Sequence, residues 1–251
     1  MIVLIMGLPG SGKTTLAHEL CRRTDAIHLN GDEFRAGLSS DLGFSVEDRI
    51  EQARRMGEVA RLLSNQGKLV IADFVNPTSQ TRQSFGAADF IVWVDRVQVG
   101  RFQNTNSLWE RPESFDIRIF PGSSVEQEAV SVIDTLGVYD WTKPTTLMLG
   151  RYQPWHEGHQ ALKNEAHKRT DHVLIGVRNT HGTSEKDPLP YEEVAKYIHE
   201  NNEPNNQLVM KLPNITNIVY GRDVGYKIEH VELPLEIQAI SATQKRKEMG
   251  I

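Results

Sequence analysis

Cysteine is almost absent from the sequence, which has only Cys21 among its 251 residues. A single cysteine excludes an internal disulfide and is typical of a reducing compartment, so we expect a cytoplasmic location. Cys21 falls within a predicted helix, where a buried structural thiol is a better interpretation than a nucleophile.

Long apolar runs and an excess of positive charge are also lacking. No run approaches the roughly 20 residues that a membrane-spanning helix needs, and the apolar segment 1–6 lacks the features of a signal peptide. The net charge is −5, from 28 basic and 33 acidic residues, which excludes a general basic field for nucleic acid. We therefore expect small phosphate or sulfate esters as ligands and no nucleic-acid or membrane partner. The composition is compatible with a homo-oligomer.

Short apolar runs alternate with helix-periodic stretches through most of the chain, which predicts parallel α/β architecture. We expect two doubly wound parallel-sheet domains, at residues 1–143 and 144–251. The first has predicted strands at 2–6, 26–29, 68–74 and 90–94, predicted helices at 13–23, 48–65 and 124–136, and Ser45 as a helix N-cap. Segment 97–121 is predicted to be an irregular loop or lid. The second has predicted strands at 145–149 and 172–177 and predicted helices at 158–168, 191–201 and 241–249.

A phosphate-binding loop is the clearest motif. It matches G-x-x-x-x-G-K-[ST] at every fixed position, in Gly7-Leu8-Pro9-Gly10-Ser11-Gly12-Lys13-Thr14, with Thr15 next. Glycines let backbone N–H groups surround the phosphates of ATP, and the following helix adds partial positive charge. In this pattern Lys13 bridges the β- and γ-phosphates, and the Thr14 hydroxyl binds Mg²⁺. An ordinary glycine turn is the alternative, but the position between a strand and a helix argues against it.

The residues after the second predicted strand distinguish a kinase from other P-loop proteins. They are Asn30-Gly31-Asp32-Glu33-Phe34-Arg35-Ala36-Gly37-Leu38, Asp41-Leu42-Gly43-Phe44-Ser45, Glu47-Asp48-Arg49, Arg54-Arg55-Met56-Gly57-Glu58-Val59-Ala60 and Phe74-Val75-Asn76-Pro77. In order and spacing, this series resembles adenylylsulfate (APS) kinase over roughly residues 1–95. The resemblance implies a P-loop kinase fold and phosphotransfer from ATP to a hydroxyl group.

The same resemblance implies roles for individual residues. Asp32 matches a catalytic carboxylate near the acceptor hydroxyl and the metal, and Phe44 matches an aromatic residue that stacks on the substrate's base. A carboxylate can deprotonate a hydroxyl, and guanidinium groups suit phosphate and sulfate oxygens. Each residue taken singly also fits a structural role as a cap, a core ring or a solvated charge. The implied substrate-binding residues are Arg35, Phe44, Arg49, Asn76 and Pro77.

Three features depart from the family pattern. Gln52 replaces an Asn, and Asp73, at the end of an apolar run, replaces a small residue. Asp73 could bind Mg²⁺ directly or through water, although a turn carboxylate at a strand end is an equal alternative. The family's Lys-Gly-Leu-Tyr lid motif is not recognisable, and the segment around Arg96, Arg101 and Trp109 takes its place. Phosphotransfer is therefore the prediction, with APS as one candidate acceptor.

A second nucleotide motif opens the predicted second domain. The run Gly150-Arg151-Tyr152-Gln153-Pro154-Trp155-His156-Glu157-Gly158-His159 resembles the G-R-F-Q-P-x-H-x-G-H signature of HxGH nucleotidyltransferases. Near the C-terminus, Ile240-Ser241-Ala242-Thr243-Gln244-Lys245-Arg246 resembles their I-S-x-T-x-x-R motif. The resemblance covers roughly residues 145–251. It implies a Rossmann-like fold and transfer of AMP or CMP to a phosphomonoester, with release of pyrophosphate.

In this resemblance His156 and His159 direct ring N–H groups at phosphate oxygens, Arg246 adds positive charge, and Mg²⁺ bridges the triphosphate. The other implied nucleotide-binding residues are Arg151, Gln153, Ser241 and Thr243. Zinc binding by the histidine pair is an alternative, but no Cys or carboxylate set of ligand spacing lies nearby. We interpret the remaining histidines as structural or solvated, including His18, His28, His167 and His230.

The nucleotide used by the second domain stays open between ATP and CTP. Its two motifs look most like archaeal-type nicotinamide mononucleotide (NMN) adenylyltransferases, whereas Tyr220-Gly221-Arg222-Asp223 resembles cytidylyltransferases. The preferred hypothesis is one bifunctional enzyme that phosphorylates a hydroxyl and then couples the phosphomonoester to a nucleotide. A genuine APS kinase fused to a transferase of an unrelated pathway is the first alternative. A nucleotide-binding regulator without turnover is the second.

Overall fold

The computed structural model describes residues 1–180, 182–202, 207–219, 221–222 and 225–250, apart from the side chain of Met249. The chain divides into two compact units, Met1–Leu136 and Gly137–Ile251. This division falls earlier in the chain than the expected boundary after residue 143. Each unit has a sheet of its own.

The first unit is built on a five-stranded parallel sheet in the order β2-β3-β1-β4-β5. Its strands are β1 (Ile2–Met6), β2 (Ile27–Asn30), β3 (Val70–Asp73), β4 (Phe90–Val94) and β5 (Ile117–Ile119). The central strand β1 is buried along its whole length, which explains its unbroken apolar sequence.

Helices cover both faces of this sheet. They are α1 (Lys13–Thr24), α2 (Gly31–Ala36), α3 (Val46–Ser64), α4 (Ser79–Phe85), α5 (Gln103–Asn106) and α6 (Val125–Leu136). Ile2 and Leu4 of β1 pack with Met56 of α3 and Phe85 of α4 on one face. Helices α1 and α6 pack against each other. The predicted parallel α/β fold of the N-terminal half is confirmed.

Helix α3 begins with the predicted N-cap. The Ser45 hydroxyl accepts a hydrogen bond from the Asp48 backbone N–H at 3.1 Å, and the Asp48 carboxylate accepts one from the Ser45 N–H at 3.3 Å. This reciprocal pair is a capping box, which satisfies two backbone donors at the helix start. The helix therefore begins at Val46 rather than at residue 48.

The expectation of an irregular segment over residues 97–121 is wrong in part. The segment contains α5 and the edge strand β5, which pairs with β4. Strand β5 is only Ile117-Arg118-Ile119, too short to show an alternating pattern. Its Arg118 lies over the ring of Trp93 at 4.2 Å and pairs with Asp95. These tertiary contacts, rather than local sequence, define the strand.

The second unit contains a three-stranded parallel sheet in the order β6-β7-β8. The strands are β6 (Thr145–Gly150), β7 (His172–Arg178) and β8 (Gln207–Leu212), and the helices are α7 (Glu157–His167), α8 (Tyr191–Glu200), α9 (Leu235–Gln238) and α10 (Ala242–Met249). Tyr152 and Trp155 pack in its core against Ile175 and Ile198. No helix in the described ranges is long and apolar enough to cross a membrane.

Helix α3 packs so closely on α4 that Gly57 has no room for a side chain. A Cβ there would lie 1.9 Å from the backbone oxygen of Phe85. We expect Gly57→Ala to lower the free energy of unfolding by about 1–3 kcal/mol, because the helices must separate. Urea unfolding measures this. Leu62→Ala in the same helix, where Leu62 is 63% exposed, should change it by less than about 0.5 kcal/mol. Equal values for the two variants would contradict the close packing.

Candidate active site

The carboxyl ends of β1, β2 and β3 border a cleft of about 750 Å³ in the first unit. Parallel α/β sheets bind ligands at this edge. The sequence-predicted residues that line the cleft are Pro9, Gly10, Gly12, Lys13, Thr14, Thr15, Asp32, Arg35, Phe44, Arg49, Asp73, Asn76 and Pro77. The other predicted residues of this site, Gly7, Leu8 and Ser11, are buried in the same loop. The structure thus brings the predicted residues of this site together.

The phosphate loop depends on its glycines for its backbone path. Gly10 and Gly12 have φ angles of +84° and +92°, in the left-handed region that side chains disfavour. The loop leads into α1 at Lys13, so the free N–H groups of the first turn face the end of the cleft. This arrangement suits an anion such as a polyphosphate.

Lys13 is a buried cation with too little negative charge around it. Its ammonium group donates a hydrogen bond to the Leu8 backbone oxygen at 3.0 Å. Burial lowers the pKa of Lys13 to about 8, and the charges of Asp73 and Asp32 offset only part of this effect. A bound phosphate would place further negative charge beside this ammonium group.

Asp73 lies at the centre of a hydrogen-bond cluster. Its Oδ2 accepts from the Thr14 hydroxyl at 2.7 Å, and its Oδ1 lies 2.5 Å from His28 Nε2 and 3.0 Å from Asn30 Nδ2. Burial alone would raise the pKa of Asp73, but the bonds from His28, Thr14 and Asn30 outweigh it and hold the pKa below its usual value. Asp73 is therefore an ionised carboxylate.

The position of Asp73 bears on the predicted magnesium site. Asp73 is only 1% exposed, whereas Thr14 is exposed to the cleft. The Thr14 hydroxyl donates its proton to Asp73, and its oxygen accepts a hydrogen bond from Asn30 Nδ2 at 3.3 Å, which leaves one lone pair for a ligand. Mg²⁺ carried by a nucleotide takes one or two protein ligands and completes its shell with phosphates and water. Thr14 as ligand and Asp73 behind it fit such an ion.

Asn30 links the phosphate loop to the predicted catalytic residue. Its side-chain oxygen accepts hydrogen bonds from the backbone N–H groups of Asp32 and Glu33, each at 3.0 Å, and so caps α2. Its side-chain nitrogen donates to Asp73. One amide therefore fixes the start of α2, with the exposed Asp32 carboxylate, relative to the end of β3.

Phe44 stands between two arginines. Its ring centre lies 4.6 Å from the guanidinium carbon of Arg35 and 5.7 Å from that of Arg49. Arg49 also donates to the Phe44 backbone oxygen at 3.1 Å and to Thr105 Oγ1 at 3.2 Å. Burial lowers the pKa of both arginines. Phe44 is 64% exposed, so its ring is a face of the cleft and not part of the core.

Asn76 and Pro77 form another part of the cleft wall. Asn76 is fully buried with a φ of +48°, and its backbone oxygen accepts a hydrogen bond from Arg82 at 3.1 Å. Within the described residues its side-chain amide has no hydrogen-bond partner. The Pro77 backbone oxygen accepts from the Glu110 N–H at 2.8 Å.

Sequence reasoning missed several residues of this site. His28 and Asn30 hold Asp73. Asn30 is a polar residue at the end of β2, which is a weak signal, and nothing near His28 in the sequence indicates its partner. Phe102 lines the cleft and is 60% exposed, but it lies in the segment without periodicity. Arg96, which follows β4, donates to the Ser11 backbone oxygen at 3.1 Å and pairs with the buried Glu128 of α6. Arg96 thus connects the phosphate loop to α6.

The histidine pair of the second unit lies at the start of α7. His156 Nδ1 accepts a hydrogen bond from the Gly158 N–H at 3.1 Å, and His159 Nδ1 accepts from the His156 N–H at 3.3 Å. Burial lowers the pKa of His156, and it lowers that of His159 to about 4. Both rings are therefore neutral near pH 7. Since Nδ1 accepts, this hydrogen-bond pattern assigns the proton of each ring to Nε2.

The two motifs of the second unit meet at Arg246. Its guanidinium group donates to the Gln153 backbone oxygen at 2.8 Å and to Thr243 Oγ1 at 3.1 Å. Ser241 caps α10, because its hydroxyl accepts from the Gln244 N–H at 3.1 Å.

Neighbouring segments hold the first of these motifs. The Gln153 amide pairs with the Leu189 backbone at 2.8 and 2.9 Å, and Arg151 pairs with Asp187 at 3.1 Å. A cavity of about 190 Å³ lies beside Gln153. Of the motif that resembles cytidylyltransferases, Tyr220 and Asp223 lie outside the described residues.

Comparison with known proteins assigns the first unit. The model of the adenylylsulphate kinase family matches residues 1–134. The chain belongs to the adenylylsulphate kinase family. It is 35% identical over 138 residues to an adenylyl-sulfate kinase of Thermodesulfovibrio yellowstonii, covering 51% of this chain and 69% of that protein. It is 39% identical over 133 residues to one of Geotalea daltonii, covering 49% of this chain and 66% of the relative.

One solved structure illustrates the same likeness. The APS kinase of Mycobacterium tuberculosis in complex with AMPPNP and APS is 31% identical, covering 54% of this chain and 96% of its own, with a TM-score of 0.49. The family match covers about half of this chain. Residues 135–251 lie outside the family match.

The buried charge of Lys13 predicts a pH dependence of stability. Its pKa is about 8 in the folded protein against a usual 10.5, so between these values the unfolded chain holds a proton that the folded chain has released. The free energy of unfolding of the ligand-free protein should therefore rise with pH across this range. Relative to Lys13→Met, urea unfolding should show a gain of about 3 kcal/mol from pH 8 to 10.5. A difference that is independent of pH would show that Lys13 has an ordinary pKa.

Proposed function

We propose that the first unit transfers the γ-phosphoryl group of ATP to a hydroxyl of a small anionic acceptor. The observation that carries this proposal is one cleft lined by the phosphate loop, by Asp32 and by the group Arg35–Phe44–Arg49. A triphosphate on the loop would place its terminal phosphate toward Asp32. The arginines and the exposed ring leave room for an acceptor beyond it.

The side chains suit the separate demands of this reaction. Asp32 accepts the proton of the attacking hydroxyl, because its exposed carboxylate faces the cleft. A bound phosphate favours the charged form of Lys13, and this ammonium group stabilises the negative charge of the transferred group. Mg²⁺, when bound with the nucleotide, neutralises charge on the β- and γ-phosphates, and Thr14 with Asp73 behind it would hold the ion. The products are ADP and the phosphorylated acceptor.

APS is the first candidate acceptor. An exposed aromatic ring flanked by guanidinium groups suits a ligand that combines a planar base with an anionic group. Phe44 supplies the ring, Arg35 and Arg49 supply the charge, and the exposed Phe102 lines the same cleft. APS has both features, and the family relatives are adenylyl-sulfate kinases. The product would be 3′-phosphoadenylylsulfate (PAPS).

For the second unit we propose nucleotidyl transfer of AMP or CMP to a phosphomonoester, on a Rossmann-like HxGH fold. Its parallel sheet, with the histidine motif after the first strand, has the layout of a nucleotide-binding half-domain. The Nε2–H groups of the neutral His156 and His159 are donors for phosphate oxygens that gain charge in the transition state. Arg246 and the capped start of α10 add positive potential beside Gln153.

We further propose that the two reactions are consecutive, so that the kinase product is the transferase acceptor. An APS kinase joined to a transferase of an unrelated pathway is the alternative. A regulator without turnover is less well supported, because binding alone does not require a catalytic carboxylate and a histidine pair together.

The first experiment is a screen of the purified protein with ATP or CTP and Mg²⁺. Acceptors would include NMN, pantetheine phosphate and glycerol phosphate, with pyrophosphate release as the readout. APS-dependent formation of ADP would be followed in parallel. ADP release without pyrophosphate from any acceptor would favour the unrelated-pathway alternative. Tight ATP binding without turnover would favour the regulator.

Substitutions in one site should spare the other. Lys13→Ala should abolish ADP formation and leave pyrophosphate release unchanged. His159→Ala should lower pyrophosphate release by about 10²–10³-fold and leave ADP formation unchanged, since it removes one donor to a developing oxyanion. Each variant is the control for the other. Loss of both activities in either folded variant would contradict two independent sites.

The consecutive scheme makes a separate prediction for Lys13→Ala. With unphosphorylated acceptor, this variant should form no nucleotidyl product, because the first step is missing. With phosphorylated acceptor, it should form product at the wild-type rate. Chromatography of the nucleotidyl product measures both. Equal yields from wild type and variant with unphosphorylated acceptor would contradict the scheme.

A further inference from the structure

The proposed kinase mechanism gives no role to His28, although its ring makes a short contact with Asp73. Nε2 lies 2.5 Å from Asp73 Oδ1, and the side chain is 16% exposed. An ionised carboxylate only accepts hydrogen bonds, so this contact requires the proton on Nε2. His28 lies in β2, two positions before Asn30, and the two side chains therefore face the same side of the strand.

Both oxygens of Asp73 are held by donors. Oδ1 accepts hydrogen bonds from His28 Nε2 and Asn30 Nδ2. Oδ2 accepts one from the Thr14 hydroxyl and a longer one, at 3.3 Å, from Asn30 Nδ2. Asp73 is almost wholly buried, so water does not replace a missing donor. Without His28 the carboxylate would turn toward its remaining donors. The direction of the Thr14 hydroxyl, which depends on Oδ2, would then change.

Rigid elements support this arrangement. The sheet pairs Asn30 with Asp73 in register between β2 and β3, and His18 on α1 packs edge-on against the His28 ring at 5.0 Å. The ring of His28 is therefore held by a helix on one side and by the carboxylate on the other. Groups that are fixed in this way can orient a metal ligand without touching the metal.

We propose that His28 is a positioning residue for the nucleotide-bound divalent ion, which it serves by holding Asp73 and thereby directing the Thr14 hydroxyl. The inference rests on the proposed kinase function of the first unit. Loss of such an outer hydrogen bond typically weakens metal affinity by about 10–100-fold. The effect should fall on metal affinity and leave nucleotide binding without metal intact.

The test is Mn²⁺ binding to the full chain in the presence of saturating ADP, measured by electron paramagnetic resonance. His28→Leu removes the donor, and His28→Gln keeps an N–H donor near the position of Nε2. His18→Leu is the matched control, because it removes a ring that packs on His28 but does not bond to Asp73. Calorimetry in EDTA measures the binding of ADP without metal. Kinetic assays with APS as the acceptor measure the KM for Mg²⁺ and kcat separately.

We expect His28→Leu to weaken Mn²⁺ binding by about 10–100-fold and to raise the KM for Mg²⁺ by a similar factor. ADP binding in EDTA should stay unchanged, and His28→Gln and His18→Leu should stay within about threefold of wild type. Wild-type Mn²⁺ affinity in His28→Leu would overturn the inference. Equal losses in His28→Leu and His18→Leu would also overturn it, because ring packing would then be the cause.

Two further outcomes separate this inference from the proposed function. If His28→Leu fails to fold, His28→Gln still tests the inference. A loss of Mn²⁺ affinity of tenfold or more in folded His28→Gln overturns it. If the wild-type chain binds neither ADP nor Mn²⁺ with ADP, the proposed kinase site fails and the inference fails with it. Wild-type phosphotransfer together with unaltered Mn²⁺ affinity in His28→Leu overturns the inference alone.

Discussion

The first unit depends on a buried negative charge. Asp73 ends β3 below the surface of the cleft, where an ionised carboxylate is stable only with several donors. Those donors come from the phosphate loop through Thr14 and from β2 through His28 and Asn30. Because three side chains must stabilise this charge by hydrogen bonds, it fixes the phosphate loop, β2 and β3 relative to one another. The same charge partly compensates the buried ammonium of Lys13.

Features that depend on neighbours in sequence could be predicted. The phosphate loop and the Ser45 cap are formed by residues that lie within a few positions of one another. Their chemistry can therefore be read from a short stretch of sequence. The resemblance to APS kinase located Arg35 and Phe44, and the structure places them together in one cleft. Strand β1 was predicted with its observed bounds because its apolar run is continuous.

Features that depend on distant contacts could not be predicted. β5 is a strand because it pairs with β4 and because Arg118 packs on Trp93. His28 has no local signal, since its partner lies 45 positions along the chain. Phe102 lines the cleft because of the path that segment 97–121 takes. That segment has no periodicity from which the position of Phe102 could be predicted. In each case the deciding partner lies far away in the sequence.

The bond from Arg96 to the phosphate loop affects how the chain can be divided for study. Arg96 follows β4, yet its counter-ion, Glu128, lies on α6 near the end of the first unit. A fragment that stops before α6 would leave an unpaired guanidinium against the Ser11 backbone and remove the face that packs on α1. The smallest piece that can report faithfully on phosphate binding therefore includes α6 through Leu136. The residues expected to contact the nucleotide phosphates lie close together in sequence, but the contacts that support their loop extend to α6, the last helix of the unit.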